Sequence, residues 1–369
     1  MRRTKVLLLI KGLGIGGAER LLLSFLQVRD RSHFDYRVAF VLPSKDALVS
    51  DVREADVPVQ CLTPDRRTVT WPLRLRRMLI ADPVDVLHLH SPLVASVARV
   101  VVRTLPRSTR PVVVTTEHST WSSYAMTTRI MNAITFTIDG AHIAVSDRVR
   151  QSIPRIWRRD VTVIVHGIIL DQVRRSREER DDVRAEVGVG PDVLLVGTVA
   201  NYTVHKAYPD LLQAARRVID SGAAVRFLAL GQGPLEREIH ELHASLGLGG
   251  DFLLLGRRSD AVRVLAGCDV FVLASRREGF PVALMEALGL GLPVVATTVG
   301  GVPEAVTSGG EGWLVPPARA DLLADAILRL VRDDQTRRRM AQSALAAGAR
   351  YDMVPSARRI ESLYRDLVG

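Results

Sequence analysis

Cysteine is nearly absent from this chain. Only Cys61 and Cys268 occur among 369 residues, too few for a disulfide framework or a cysteine metal cluster. Each stands in a mainly apolar stretch and reads as a small buried hydrophobe, which fits a reducing compartment. Long apolar runs are missing too: nothing approaches the about 18–20 residues of a membrane-spanning helix. The start, Met1-Arg-Arg-Thr-Lys before 6–10, has the charge of a signal peptide. Its apolar run is only five residues, whereas such a region needs about 7–15, and Lys11 and a glycine loop follow, so a first β-strand is expected. Low-complexity tracts and short-period repeats are lacking, which excludes solenoids and disordered linkers. Acid is missing from 86 to 116.

Positive charge, by contrast, is in excess, with a formal net charge of +10. Arg66, Arg67, Arg74, Arg76 and Arg77 share a segment with Trp71, Leu73, Leu75, Met78 and Leu79, and Arg99, Arg103 and Arg107 recur at helical i, i+4 spacing. Such an excess attracts anionic lipid, anionic substrates or nucleic acid. No basic–aromatic stacking motif accompanies it, so nucleic acid is not expected. An anionic membrane patch on the N-terminal half and a merely solvated arginine-rich surface both stay open.

The length implies two domains. Hydrophobic residues at 47% and charged residues at 24% describe a globular chain. Short apolar runs at 6–10, 36–42, 84–89, 112–116, 143–145 and 161–165 alternate with helical patterns, 17–28 first among them. This is a βαβ series, hence a parallel sheet with helices on both faces. A charged stretch over 173–187 breaks the pattern and is read as the domain boundary. The series restarts with strands at 193–199, 225–230, 252–255, 270–273 and 294–296, and helices at 210–221, 235–246 and 281–290. The expected division is 1–173, 174–350 and a final helical 351–369. Two doubly wound α/β domains of this kind would bind a ligand in a cleft at the carboxyl ends of their strands.

Two segments carry chemistry. Lys11-Gly-Leu-Gly-Ile-Gly-Gly-Ala-Glu-Arg20 follows a strand and opens a helix, and Gly12, Gly14 and Gly17 satisfy G-x-G-x-x-G. A dinucleotide site also wants an acid ending the second strand. That strand ends Val-Leu-Pro-Ser44 instead, with Asp35 before it and Asp46 beyond it. What remains is a loop whose backbone N–H groups can approach an anion at a helix N-terminus. The second segment is Ser275-Arg-Arg-Glu-Gly-Phe-Pro-Val-Ala-Leu-Met-Glu286. Pro281 suits a first helical turn, which leaves the N–H groups of Gly279, Phe280 and Val282 to meet a phosphate. Glu278 and Glu286 suit vicinal hydroxyls of a sugar or ribose, which donate to carboxylates.

Glu278 and Glu286 form an E-x7-E motif, and with its surroundings the segment resembles the large retaining glycosyltransferase family 4 of the GT-B fold. Gly231-Gln-Gly-Pro-Leu235, Leu255-Gly256-Arg257, Cys268-Asp269-Val-Phe-Val272, Gly291-Leu-Pro-Val-Val295, Gly300-Gly-Val-Pro-Glu304 and Gly312-Trp-Leu-Val-Pro316 continue the likeness in order. It covers nearly all of the second half. Where the family carries a basic pair for the diphosphate, this chain has Lys206, with Asn201 in place of the arginine. Either Lys206 and backbone dipoles suffice, or Arg257, His205 or Arg276 helps. The first half is similar more loosely, through Gly14, Gly16 and Gly17, Asp85-Val-Leu-His-Leu-His90 and Thr115-Thr-Glu-His-Ser119. The family often has a site histidine at this last place, which makes His118 the candidate. Alternation puts His88 and His90 on one face of a strand, but two histidines do not make a metal site. In Val163-Ile-Val-His-Gly-Ile168, His166 stands where the family has asparagine, and Ile169 where it has aspartate.

The resemblance implies transfer of a sugar from a nucleotide diphosphate to a saccharide or lipid-linked acceptor, with retention and without metal or other cofactor. UDP is the favoured nucleotide and the cytoplasm, at the inner face of a membrane, the place. It implies that Glu278 holds the donor sugar, His118 lies near the acceptor, Lys206 meets the diphosphate and Glu286 binds ribose. Gly14, Gly16, Gly17, Asn201, Gly231, Arg257 and the 279–282 turn complete the donor contacts. Two rivals stay open: a nucleotide-sugar binder without catalysis, and an NAD-dependent oxidoreductase resting on the glycine loop.

Overall fold

The computed structural model describes residues 2–64 and 68–369; Arg66 and Arg67 of the basic segment lie outside the described residues. The chain forms two units, Met1–Gly167 with Met353–Gly369, and Ile168–Asp352.

The first unit is built on seven parallel strands: β1 (Thr4–Ile10), β2 (Phe34–Phe40), β3 (Val59–Cys61), β4 (Val86–Leu89), β5 (Val112–Glu117), β6 (Ala141–Ala144) and β7 (Val161–Val163). Their order is β3-β2-β1-β4-β5-β6-β7. Val6–Ile10 and Val86–Leu89 are buried throughout, as strands covered on both faces must be. The helix Trp71–Ala81 packs on Pro92–Arg103, and that on Met126–Thr135; Gly17–Val28 packs on the closing helix Met353–Val368. The order reverses between β1 and β4, the place where open α/β sheets bind ligands.

The second unit repeats the plan with β8 (Leu194–Val199), β9 (Val225–Leu230), β10 (Phe252–Leu254), β11 (Val270–Leu273), β12 (Val294–Thr297) and β13 (Gly312–Val315). All run parallel in the order β10-β9-β8-β11-β12-β13, reversing between β8 and β11. A core of Val196, Phe227, Val272 and Val295 is covered by Leu211, Ala215, Ile327 and Leu330 from flanking helices.

Four readings change. The charged stretch after 173 is not a linker. It folds into Leu170–Arg175, a short turn and Arg180–Glu186, and Arg180 and Arg184 clamp Asp269 beside β11. The unit boundary falls instead at Gly167/Ile168, where Ile168 bridges Asp352. Edge strands β3 and β13, three and four residues long, are too short for alternation to declare them. Arg99 is fully buried and leaves the basic patch: it pairs with Asp139 at 2.6 Å and bonds Asn132 and Thr115. Cys61 is half-buried on the edge strand, while Cys268 is buried.

Candidate active site

In the second unit, Lys206 and Glu278 meet at the reversal of strand order. Lys206 ends the short turn Val204–Lys206 after β8, and Glu278 follows β11, the neighbour of β8. Their side chains form an ion pair of 2.5 Å. The Ser275 hydroxyl donates to the same Oε1 of Glu278 at 2.6 Å. Ser275 is itself fixed, since its carbonyl accepts from the Thr297 hydroxyl of β12. The backbone at Ala207, between the lysine turn and the helix Tyr208–Asp220, is left-handed (φ 50°), a strained choice for a residue with a Cβ.

Glycines allow the loops to close on this pair. Gly300 (φ 52°) would place a Cβ 2.1 Å from the carbonyl oxygen of Glu278, and Gly301 N–H donates to Gly279 O at 2.7 Å. No larger residue could pass there. Gly231 would put a Cβ 2.0 Å from Ala200 O, so the Gly-x-Gly-Pro-Leu turn lies directly on the loop after β8. Asn201 is exposed on that loop, and Arg257 is exposed beyond β10. Arg276, a possible helper by sequence, is engaged by Asp210 at 3.1 Å.

The helix Val282–Leu290 begins just after Glu278, with Pro281 as N-cap rather than inside the first turn. Its first N–H groups have no partner within the helix and carry the positive end of its dipole. Gly279, Phe280 and Pro281 are buried at this start, and Glu286, one turn in, is buried as well. Positive ends, one lysine and two carboxylates at the C-terminal ends of β8 and β11 can hold a phosphate and hydroxyls together.

The first unit gathers histidines. His90 directly follows β4 and His118 directly follows β5, while His166 lies three residues beyond β7. His90 Nδ1 is 3.2 Å from His118 Nε2. His118 thus meets His90 edge to edge, and the ring centres of His90 and His166 each lie 5.5 Å from that of His118. His88 lies tilted against His90, ring centres 4.2 Å apart, and is held by the hydroxyls of Thr116 and Tyr364. Leu8, Leu21, Phe25 and Ile360 make the apolar wall of the small cavity that the rings line. Burial, reinforced by neighbouring imidazoles, holds His88, His90 and His118 neutral well below the usual histidine range, and burial brings His166 to about 4. Sequence reading picked out His118 and gave His90 and His166 no role. The Asx-to-His replacement at 166 was the only signal for the latter.

The Gly14–Gly17 loop ends at Gly16, the N-cap of Gly17–Val28. The Glu19 carboxylate lies against Gly16. Its burial raises its pKa, which Lys45 opposes. A protein carboxylate thus already occupies this helix N-terminus.

Residues 179–346 match the family profile described as glycosyl transferases group 1, and residues 15–172 that of glycosyltransferase family 4. The N-acetyl-alpha-D-glucosaminyl L-malate synthase of Bacillus anthracis is 24% identical over 71% of this chain and 69% of its own length. A putative colanic acid biosynthesis glycosyltransferase of Salmonella typhimurium is 38% identical, over 37% of this chain and about a third (36%) of that relative. Among solved structures, Anabaena HepE with UDP and glucose superposes with a TM-score of 0.86 at 22% identity, covering 98% of this chain and 99% of that one. At that identity the likeness is one of fold.

Proposed function

The chain belongs to the glycosyltransferases of group 1 and family 4, with the GT-B fold, and from that premise we propose that it transfers a sugar from a UDP-sugar to a saccharide or lipid-linked acceptor, with retention and without a metal. The observation that carries the reading is the Lys206–Glu278 ion pair at the reversal of strand order. Breaking a sugar–phosphate bond develops negative charge on the β-phosphate and positive charge on the sugar. A fixed ammonium and the start of Val282–Leu290 meet the first, as preorganised donors do in such reactions. Glu278, held by Ser275 and Lys206, faces the sugar, and Glu286 binds the ribose hydroxyls. Gly231, Asn201 and Arg257 border the nucleotide. The Gly14, Gly16, Gly17 loop can take a phosphate oxygen at its own helix N-terminus, which requires Glu19 to yield. His118 serves the acceptor side. The lysine and helix dipole supply the charge that a divalent ion would otherwise bring. UDP as the nucleotide is supported by the HepE structures, which are described with UDP and UDP-glucose.

UDP release from UDP-glucose in EDTA tests this. Lys206→Ala is expected to slow it by 10²–10³-fold, the usual cost of about 3–4 kcal/mol for one lost oxyanion donor. A rate within threefold of wild type would sink the assignment.

The same reading places the enzyme peripherally on an anionic membrane at its cytoplasmic face. No described helix is long and apolar enough to span a bilayer. The helices Trp71–Ala81, Pro92–Arg103 and Met126–Thr135 contain no acid. They expose Leu73, Leu93, Val100, Met126, Ile130 and Ile134 beside exposed Arg77 and Arg103. Apolar side chains among cations suit the headgroup region of anionic lipid.

A further inference from the structure

We propose that His90 is a positioning residue that fixes the tautomer of His118, so that His118 presents Nδ1–H as a hydrogen-bond donor and cannot act as a base through Nε2. The argument begins with the contact between the two rings. His90 Nδ1 and His118 Nε2 lie 3.2 Å apart, so one of them carries the shared proton. The other nitrogen of His90, Nε2, is buried with no partner.

The two arrangements differ in what they strand. If His118 Nε2–H donates, a neutral His90 must carry its own proton on Nε2, and a buried N–H is left unpaired. If His90 Nδ1–H donates, only a bare ring nitrogen is left unpaired. Orphaned buried N–H groups are the rarer and costlier case, while an under-satisfied acceptor is better tolerated. The second arrangement therefore wins. Burial favours the neutral form of both rings, reinforced by His88 and His166 at His90 and by His90 and His166 at His118.

His118, with Nε2 committed as acceptor, then holds its proton on Nδ1. No hydrogen bond to a protein group engages that atom among the described residues, which leaves it for a ligand oxygen. The hydrogen bond joins His90 and His118 edge to edge, with ring centres 5.5 Å apart, and the His166 ring centre is also 5.5 Å from that of His118. His166 has a buried, unpaired Nδ1, so the same reasoning puts its proton on Nε2. The consequence for the reaction rests on the proposed function: His118 donates to a hydroxyl oxygen of a substrate and does not itself take the acceptor's proton.

The test is long-range ¹H–¹⁵N correlation of histidine-labelled protein at pH 7.5, with His118→Gln supplying the assignment. Wild type should show His118 and His90 protonated on Nδ1. His90→Phe keeps an aromatic ring but no donor, and should shift His118 toward Nε2–H. His90→Asn keeps an N–H near the position of Nδ1 and should restore the Nδ1–H form. UDP release from UDP-glucose should fall about tenfold in His90→Phe and recover to within threefold in His90→Asn, on the scale of one hydrogen bond. Nε2–H on His118 in wild type, or an unchanged tautomer in His90→Phe, would overturn the inference. Wild type with the expected tautomers but no UDP release would instead count against the proposed function alone.

Discussion

Glu278 and Lys206 were both legible as letters of a motif; what places them was not. The carboxylate is oriented by Ser275, whose backbone is tied to Thr297 on the next strand, and by the near contact of Gly300. Gly300→Ala tests that dependence. The added methyl meets Glu278 O in a left-handed backbone, so a loss of about 1–3 kcal/mol is expected on strain alone, with weaker UDP binding. Urea unfolding and calorimetric titration read the two effects, and unchanged values in both would show that the 297–301 loop does not brace Glu278. Arg99 makes the opposite point. Helical spacing with Arg103 and Arg107 suggested a surface row, yet Arg99 points at the sheet, where Asp139 neutralises it and Asn132 Oδ1 accepts from it. Spacing shows which residues share a helix face but not which way that face turns when its neighbours are mixed Val and Ala.

Among the elements, buried strands were plain from their apolar runs because parallel sheets cover both faces of a strand. The helices 170–175 and 180–186 were lost because their charge reads as solvent, whereas two of their arginines serve Asp269. The histidine row could not be seen at all, since it joins the ends of β4, β5 and β7, separated by tens of residues. It carries a consequence for pH. His88, His90 and His166 are buried and hold their folded pKa values below the ordinary 6.5. Such groups contribute stability above pH 6.5 that is lost as pH falls toward their folded values, because the unfolded chain takes up the protons first. One unit below 6.5 the loss is about 1.4 kcal/mol for each. Urea midpoints should hold steady above pH 7 and drop markedly by pH 5.5, and His166→Asn should flatten the drop. A midpoint independent of pH over this range would mean that the histidines titrate in the folded protein. The acid-free helices allow a second check at this scale. Co-sedimentation with phosphatidylglycerol vesicles at low salt is expected, fading at 1 M salt as screening sets in. Arg103→Glu should weaken it about fivefold or more, given about 1 kcal/mol for each basic residue at the surface, and Ile130→Ser with Ile134→Ser should weaken it further. Equal binding to purely zwitterionic vesicles would contradict the proposed face.

For the whole molecule, the doubled βαβ series was readable because it repeats the same alternation twice, and the motif spacing identified the second unit more sharply than the first. The glycine loop misleads when read alone. It satisfies a dinucleotide pattern, yet a carboxylate of its own helix lies against it and no acid stands at the end of β2, whose one acid, Asp35, is near its start. The two readings of the chain, nucleotide-sugar transferase and NAD-dependent enzyme, separate in one experiment: thermal stabilisation by UDP, GDP, ADP and NAD, each with EDTA and with Mg²⁺. A nucleotide held at 100 times its dissociation constant adds about 2.7 kcal/mol to stability. UDP should raise the melting temperature in EDTA, and Glu286→Ala and Lys206→Ala should abolish the rise. A rise with NAD alone, unaffected by either substitution, would contradict the nucleotide-sugar site built on Lys206, Glu278 and Glu286.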